Sequence, residues 1–225
     1  MRSCVLIPSF NGAQSIGAIV KSVKEQGLDV IVVDDGSLDL TAQRASESGA
    51  VVLQNSRNRG KGASLRKGFD YALAKGYDAV ITMDGDGQHL AEDLPLFLKA
   101  QKENPQAEMI IGNRMHQPLK MPLERQMTNR FMSRLISWIC HQRIPDSQNG
   151  FRLITSNLLK RWVLKSDRFE IESEMILEAA THEARIVSTE ITSVYENHPS
   201  FISPLLDTGR FIKFIVPYIH FFKKK

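Results

Sequence analysis

Four polar side chains follow one apolar stretch of this sequence closely enough to bind a metal ion together. Asp84, Asp86, Gln88 and His89 come just after the largely apolar residues Ala79 to Met83. Both carboxylates point to one face if the strand continues, because alternate residues of a strand share a face. Carboxylate and amide oxygens suit Mg²⁺ or Mn²⁺, which usually complete their shells with water and substrate phosphates. The pattern therefore predicts a divalent metal site and a phosphorylated substrate.

A calcium-binding EF-hand loop is the main alternative for these residues. That loop needs a third acid, a glycine at its sixth position and a glutamate at its twelfth. This sequence has His89 and Pro95 at those two positions. A polar turn with two acids by chance is the other alternative, and the polar clusters described below make it the weaker one.

The composition predicts an ordinary intracellular globular protein. The chain has 225 residues, 42% of them hydrophobic, and no Pro- or Ser-rich linker divides it, so one large domain is expected. Cys4 and Cys140 are too few and too far apart for a zinc site or a disulfide framework, which fits a reducing compartment. Arg2 leads straight into an apolar strand, so we expect no secretory signal and a cytoplasmic location. The net charge of +4 allows an anionic partner, but no nucleic acid is expected.

Apolar stretches alternate with amphipathic stretches along the first half of the chain. The predicted strands are Cys4 to Ile7, Val30 to Val33, Val51 to Leu53, Ala79 to Met83 and Met109 to Ile111, and the predicted helices are Ser15 to Gln26, Leu40 to Ser48, Ala63 to Lys75 and Ala91 to Glu103. The strands are too apolar to have a solvated face, which indicates a sheet covered on both sides. We therefore predict an α/β fold with a doubly wound, mostly parallel sheet flanked by helices, in which ligands bind beyond the carboxyl ends of the strands.

Three further polar clusters fall at those strand ends or before a helix. Pro8 to Gly12 offers a rigid turn, an aromatic face and an amide that could contact a base or ribose. Asp34 to Ser37 places two acids after a buried strand, where they could accept hydrogen bonds from a base or a sugar, or cap a helix. Asn58 to Ala63 is a glycine-rich turn whose Lys61 suits it to a phosphate, although it matches neither a Walker A loop nor a dinucleotide fingerprint.

The clusters PSFNG, VVDDGS, NRGKGAS and MDGDGQH resemble, in this order, the motifs of family 2 glycosyltransferases with the GT-A fold. The segments Ile111 to Arg114, Arg125 to Asn129 and Asp146 to Arg152 resemble the branch that transfers sugars to polyprenyl phosphates, as dolichyl-phosphate mannose synthases do. The resemblance extends from about residue 3 to about residue 200.

This resemblance implies an inverting transfer of a hexose from a nucleotide-diphosphate sugar, GDP-mannose or a UDP-sugar, to a polyprenyl or dolichyl phosphate, with Mg²⁺ or Mn²⁺. It assigns Asp84, Asp86 and Gln88 to the metal and the pyrophosphate. It assigns Pro8, Phe10, Asn11 and Asp35 to the nucleotide pocket, and Arg114 and Arg125 to the acceptor phosphate. Asp146 and Gln148, in the last motif, complete the expected catalytic residues.

Two alternatives stay open for the function. A phosphate acceptor is already largely dianionic at neutral pH and needs no general base, whereas a hydroxyl acceptor needs a carboxylate within reach. Asp146, Glu170, Glu172 and Glu174 are the candidates for that base. The other alternative is a nucleotide-sugar-binding module without catalysis.

The sequence departs from the family pattern at two places. Many members have an acid after the asparagine of the first motif, where this chain has Gly12. The branch also has an arginine and a Gly-Glu-Ser-Lys stretch late in the catalytic domain, where this chain reads Asn197 to Phe201. His198 and Ser200 are the substitutes there.

The C-terminal segment is dense in aromatic residues. Residues 211 to 222 are interrupted by Lys213 and Pro217 and are shorter than the roughly 20 residues of a spanning helix. They could lie in the membrane interface, followed by three lysines, or pack against the core. We therefore divide the chain into a catalytic domain, residues 1 to 204, and an amphipathic segment, residues 205 to 225, and expect a peripheral protein at the inner membrane face. Met127 to Cys140 is expected to form a second amphipathic helix.

Overall fold

The computed structural model describes residues 1 to 115, 121 to 168, 170 to 192 and 214 to 222. The strands of this part of the chain are β1 (Ser3–Ser9), β2 (Asp29–Asp34), β3 (Val51–Gln54), β4 (Ala79–Thr82), β5 (Ala107–Asn113), β6 (Arg152–Thr155) and β7 (Arg185–Glu190). They form one sheet in the order β3-β2-β1-β4-β6-β5-β7. All neighbours are parallel except that β6 runs antiparallel to both β4 and β5. The predicted α/β fold with a mostly parallel sheet is confirmed.

Helices connect the strands and cover both faces of the sheet. They are α1 (Ile16–Glu25), α2 (Thr41–Glu47), α3 (Lys61–Ala74), α4 (Leu94–Glu103, preceded by a 3-10 turn at Ala91–Asp93), α5 (Leu123–Cys140), α6 (Ser156–Leu159) and α7 (Ile171–Thr181). Residues 214 to 222 form a further C-terminal helix. The helices predicted in the first half of the chain are all present, with ends that differ by up to three residues.

Two apolar layers hold the helices against the sheet. Successive residues of β1 show why: Leu6 packs into one layer, whereas Val5 and Ile7 pack into the other. Side chains alternate across a strand, so a strand buried on both faces must be apolar at every position. This requirement explains the continuous apolar stretches of the sequence.

The C-terminal helix packs against the core through one of its faces. Ile215 is 1% exposed, and the Tyr218 hydroxyl donates to Glu178 Oε1 at 3.0 Å. For residues 214 to 222 the structure therefore shows the core-packing alternative; the rest of the predicted segment 205 to 225 lies outside the described residues. No helix in the described ranges is long and apolar enough to cross a membrane.

Candidate active site

The loops after β1 and β2 are joined side by side at the carboxyl edge of the sheet. The Asp35 amide donates to the carbonyl of Ser9 at 2.8 Å. The Asn11 amide donates to Ser37 Oγ at 2.8 Å, and the Leu38 amide donates to Asn11 Oδ1 at 3.0 Å. These bonds bring the predicted nucleotide residues of the first and second motifs together. Pro8 lies within β1 opposite Val33, one residue before the strand ends at Ser9, and Phe10 follows with an exposed side chain.

Asp35 is buried and holds the glycine-rich turn. Its carboxylate accepts hydrogen bonds from the Asn55 amide group at 2.8 Å and from the backbone amides of Arg59 at 3.0 Å and Gly60 at 2.7 Å. The two backbone amides are therefore engaged within the protein. Contact between Asp35 and a base or ribose stays a prediction.

Two glycines allow another segment to lie against this turn. Gly60 has a φ of +95°, and a Cβ on either Gly60 or Gly62 would overlap the backbone at Ser166 and Asp167. The Gly62 amide donates to the Asp167 carbonyl at 2.8 Å. The turn is thus held by Asp35 on one side and by the backbone of Ser166 and Asp167 on the other. These contacts fix the direction of Lys61 at the start of α3.

Lys61 belongs to a group of four charged residues, which we call the charge cluster: Lys61, Asp84, Arg152 and Glu172. Arg152 and Glu172 are buried, whereas the side chains of Lys61 and Asp84 are partly exposed. Lys61 Nζ lies 2.5 Å from Asp84 Oδ1 and 2.7 Å from Glu172 Oε1, and Arg152 Nη2 lies 3.0 Å from Glu172 Oε2. Two cations and two carboxylates give the cluster no net charge, which makes its burial tolerable. Lys61, predicted to contact a phosphate, therefore lies beside the first acid of the D-x-D motif.

The segment Asp146 to Arg152 contributes Arg152 to the charge cluster and packs Gly150 against it. Arg152 is fully buried and also donates to the carbonyls of Asn149 at 2.7 Å and Ser147 at 2.9 Å. At Gly150 an added Cβ would lie 2.8 Å from Asp84 Oδ2 and 3.0 Å from Lys61 Nζ. A side chain at this position would therefore require the ends of Asp84 and Lys61 to shift.

Each partner in this pair keeps the other charged. Burial by itself lowers the pKa of Lys61, but the carboxylates of Asp84 and Glu172 raise it above the usual value of a lysine. Burial raises the pKa of Asp84, yet the Lys61 ammonium outweighs it and lowers that pKa to about 2. Both groups are therefore ionised at neutral pH.

The other residues of the predicted metal site differ in exposure: Asp86 is exposed, Gln88 is half-buried and His89 is buried. Asp86 is exposed and accepts one hydrogen bond, from the Gln88 amide at 3.0 Å, within the described structure. The backbone amide of Asp84 contacts His89 Nδ1 at 3.1 Å. The described residues include no group of three or more His, Cys, Asp or Glu side chains arranged as a metal centre. A donor set of one or two carboxylates still fits Mg²⁺ or Mn²⁺, since these ions take water and substrate phosphate as their remaining ligands.

Arg114 and Asp146 form a second ion pair beside the carboxyl end of β5. Arg114 Nε and Nη2 donate to Asp146 Oδ2 at 2.8 Å and Oδ1 at 3.0 Å, and the Arg114 amide donates to Oδ2 at 3.2 Å. Asn129 Nδ2 donates to Oδ1 at 2.7 Å. Burial raises the pKa of Asp146, but the Arg114 charge and these hydrogen bonds hold it below the usual value. An ionised carboxylate that accepts four hydrogen bonds is poorly placed to take up a proton.

Arg125 and Gln148 belong to the two segments that contribute Asn129 and Asp146. Arg125 precedes Asn129 by one turn of α5, on the same side of the helix. Gln148 is half-buried, with Nε2 3.3 Å from Ser147 Oγ and 3.4 Å from Ser173 Oγ. His198 and Ser200 lie outside the described residues.

Two of the glutamates considered as general bases have partners of their own. Glu172 belongs to the charge cluster, and the buried Glu174 accepts from the backbone amides of Lys165 at 2.9 Å and Ser166 at 2.8 Å. The sequence predicts Glu172 only as a possible base and gives no separate role to Arg152. The one sequence signal for a structural role is the apolar surroundings of Glu172 in α7, where a charged side chain must find a buried partner.

A family model and individual relatives both identify this chain as similar to glycosyltransferases. The family described as "Glycosyl transferase family 2" matches residues 4 to 162. The undecaprenyl-phosphate mannosyltransferase of Micrococcus luteus is 31% identical over 86% of this chain and 84% of its own length. The UDP-N-acetylglucosamine–dolichyl-phosphate N-acetylglucosaminyltransferase of Methanococcus voltae is 25% identical over 86% of each chain.

Solved structures with the same fold include glucosyl-3-phosphoglycerate synthase from Mycobacterium tuberculosis in complex with Mn²⁺, UDP-glucose and phosphoglyceric acid. Its TM-score is 0.73 at 17% identity, over 97% of this chain and 79% of that one. At this identity the likeness shows the fold alone.

Proposed function

This chain belongs to glycosyl transferase family 2, and from that membership we propose that it is an inverting, metal-dependent enzyme that transfers a hexose from a nucleotide-diphosphate sugar to a polyprenyl phosphate. The names of the two relatives, one a mannosyltransferase and one an N-acetylglucosaminyltransferase, support a lipid-phosphate acceptor and leave the sugar open.

The Arg114–Asp146 pair is the observation that carries the acceptor proposal. Asp146 is fully buried and binds the guanidinium at two points, so Arg114 keeps its positive charge in a fixed orientation directly after β5. Arginine is suited to phosphate because its planar group binds oxyanions with defined geometry. Arg125, close to Asn129 on α5, is the second cation in our proposal.

The carboxylates of the site also favour a phosphate acceptor over a hydroxyl. Asp146, Glu172 and Glu174 are each committed to buried partners, and of the four candidate bases this leaves Glu170, at the start of α7. A phosphate dianion needs none of them, because it attacks the anomeric carbon without first losing a proton. An in-line attack of this kind inverts that carbon.

On the donor side we propose that Phe10, Asn11 and Asp35 contact the nucleoside, and that Asp86, with Asp84 and Gln88, would hold the divalent ion at the diphosphate. A metal bound there supplies Lewis-acid stabilisation of the departing diphosphate. Lys61 keeps Asp84 ionised and in place, 2.5 Å away, and adds a positive charge near the same group.

A transfer assay with the purified full chain tests the proposal. Radiolabelled UDP- and GDP-sugars are offered with Mg²⁺ or Mn²⁺ and a polyprenyl phosphate, and the expected product is an organic-phase label released by mild acid. Free polyprenol is the matched acceptor control and should take no label. Label transferred to polyprenol or to a saccharide instead would show a hydroxyl acceptor. Donor binding without transfer or hydrolysis would show a module without catalysis.

A further inference from the structure

Helix α5 has a polar inner face that belongs to the candidate site. Asn129 and Ser133 are buried, and they bond Asp146 and Ser147, at 2.7 Å and 3.1 Å respectively. Ile136 is buried in the apolar layer on this side of the sheet. One side of α5 is therefore fixed to the protein.

The outer face of α5 is apolar and lies in solvent. Leu123, Met127, Phe131 and Trp138 are 69%, 64%, 62% and 60% exposed. They are separated by four, four and seven residues, which places them along one side of a helix. Four large apolar side chains in a row on one helix form a patch, whereas single exposed apolar residues are common.

Basic side chains accompany this patch. Arg130 and Arg134 are exposed and lie three or four residues from the apolar ones, so they share the same side of α5. Neither arginine makes an ion pair within the part of the chain that the structure describes. An apolar stripe with an aromatic ring at each of two turns and arginines beside it is the pattern of a helix that lies in a membrane interface.

We propose that the outer face of α5 docks the protein on an anionic phospholipid bilayer, with the helix parallel to the membrane plane. Phe131 and Trp138 enter the headgroup layer, and Arg130 and Arg134 contact lipid phosphates. The choice of a bilayer over a protein partner rests on the proposed function. A lipid acceptor at a bilayer explains why α5 carries both the exposed apolar face and Asn129, which contacts the Arg114–Asp146 pair.

Dimensions support this arrangement. An α-helix with its side chains is about 10–12 Å thick, and each headgroup layer is about 5–8 Å deep. When the exposed face of α5 lies in that layer, the opposite face, with Asn129, lies where the headgroups meet water. A lipid-linked phosphate could then reach the Arg114 region while its hydrocarbon chain stays in the bilayer.

The C-terminal helix, which the sequence suggests as a membrane-binding segment, has less exposed apolar surface than α5. It buries Ile215 in the core and exposes only parts of Val216 and Phe221 among its large apolar residues, 44% and 43%. Changes at these two positions are therefore a matched control for changes on α5.

Vesicle co-sedimentation of the full chain tests the proposal without any substrate. We expect binding to vesicles of phosphatidylcholine mixed with phosphatidylglycerol. The pair Phe131→Ser and Trp138→Ser should weaken it at least tenfold, because each ring loses apolar burial. The pair Arg130→Gln and Arg134→Gln should weaken it roughly 30-fold on the anionic vesicles and little on pure phosphatidylcholine. The control pair Val216→Ser and Phe221→Ser should bind as the unchanged chain does.

Fluorescence locates the contact. The chain has two tryptophans, and Trp162 packs at the core with its ring 6.2 Å from that of Phe69. Brominated lipids should quench the emission of the unchanged chain, and the conservative Trp138→Phe should remove most of that quenching while vesicle binding persists.

Several results would overturn the proposal. These are no vesicle binding, binding that the α5 changes leave intact, or a dimer in solution that the Phe131→Ser and Trp138→Ser pair converts to monomer. Vesicle binding through α5 by a chain with no transferase activity would instead contradict only the proposed function. Equal activity of the α5 variants on a short soluble acceptor would confirm that their catalytic site is intact.

Discussion

Asp146 binds the guanidinium of Arg114 at two points while being completely shielded from water. The pair links β5, which Arg114 directly follows, to the loop before β6, and Asn129 adds α5 to the same carboxylate. Arg114 thus contributes to the fold as well as to the proposed acceptor site. Experiments on this residue must separate the two contributions.

Arg114→Ala should destabilise the protein by about 3–5 kcal/mol, because it leaves the buried charge of Asp146 without its cation. Urea unfolding measures this free energy. Adding Asp146→Asn to Arg114→Ala should recover part of the loss, since the unpaired charge is then gone. The folded double variant should still fail to use a lipid phosphate. Transfer at the normal rate by this variant would exclude Arg114 from the acceptor site.

The stabilisation from Asp146 should depend on pH in a defined direction. Its pKa in the folded protein is lowered from the unfolded value of about 3.9. The contribution is therefore complete above that value and is lost as pH falls through the lower pKa of the folded state. We expect the stability difference between the unchanged chain and Asp146→Asn to be constant from pH 7 to pH 5 and to shrink below about pH 4. A difference that stays constant down to pH 2 would contradict this assignment.

The two acids of the D-x-D motif should respond differently to amidation. Asp86 is exposed and outside the charge cluster, so Asp86→Asn should abolish Mn²⁺ binding in electron paramagnetic resonance titrations and most activity, with the melting temperature unchanged. Asp84→Asn should also remove activity and in addition lower the melting temperature, because Lys61 loses a charged partner 2.5 Å away. Chelation should inactivate the unchanged enzyme reversibly. Full activity in excess chelator would exclude a metal-dependent reaction.

Glu172 should matter for stability far more than its neighbour Glu170. Glu172→Ala leaves the fully buried Arg152 and the Lys61 ammonium short of a carboxylate, which should cost about 3–5 kcal/mol. Glu170→Ala removes a half-exposed acid at the start of α7 and should cost less than about 1 kcal/mol. Denaturant unfolding compares the two, and equal effects would show that the charge cluster is not a structural unit. If Glu170→Gln nevertheless abolished transfer, a hydroxyl acceptor with Glu170 as base would be favoured.

Asp35→Ala should weaken donor binding, raising the KM for the nucleotide sugar more than it lowers kcat. It also leaves the amides of Arg59 and Gly60 without their acceptor, so a loss of stability of about 1–3 kcal/mol should accompany it. Asn55→Ala is the control, because it removes the side-chain partner of the same carboxylate but leaves both backbone amides with their acceptor. It also removes the hydrogen bonds that Asn55 makes with Ser64 and Lys67. If donor affinity is unchanged in Asp35→Ala, the nucleotide is bound elsewhere.

The first half of the fold was predictable because its strands are buried on both faces and are therefore apolar throughout. The later strands β6 and β7 were not predicted. β6 has four residues and begins with Arg152, whose charge is paired with Glu172 of α7. β7 lies at the edge of the sheet, and several of its side chains are solvent-exposed. Neither has the apolar continuity that identifies a central strand.

The candidate site was predictable as a set of motifs but not as a set of contacts. The glycine spacing around Lys61 predicts contact with a phosphate. In the structure Lys61 contacts the carboxylates of Asp84 and Glu172, which are 23 and 111 residues away in the sequence. The density of aromatic residues at the C-terminus suggests a membrane-binding segment there, whereas we propose that α5 has this role. Aromatic density cannot distinguish a helix that buries Ile215 from one that exposes Phe131; only the tertiary packing does.

The position of β6 between β4 and β5 has a consequence for synthesis of the chain. Ribosomes deliver residues in order, so β1 to β4 can pair before Arg152–Thr155 exist, and β4 then forms an open edge made of Ala79 to Thr82, all of which are buried in the finished protein. Open apolar edges recruit other strands. A nascent chain at this stage is prone to aggregation until β6 pairs with β4. That pairing also places Gly150 against Asp84. Slow translation between residues 82 and 152 would therefore lower the yield of soluble protein without changing any residue of the site.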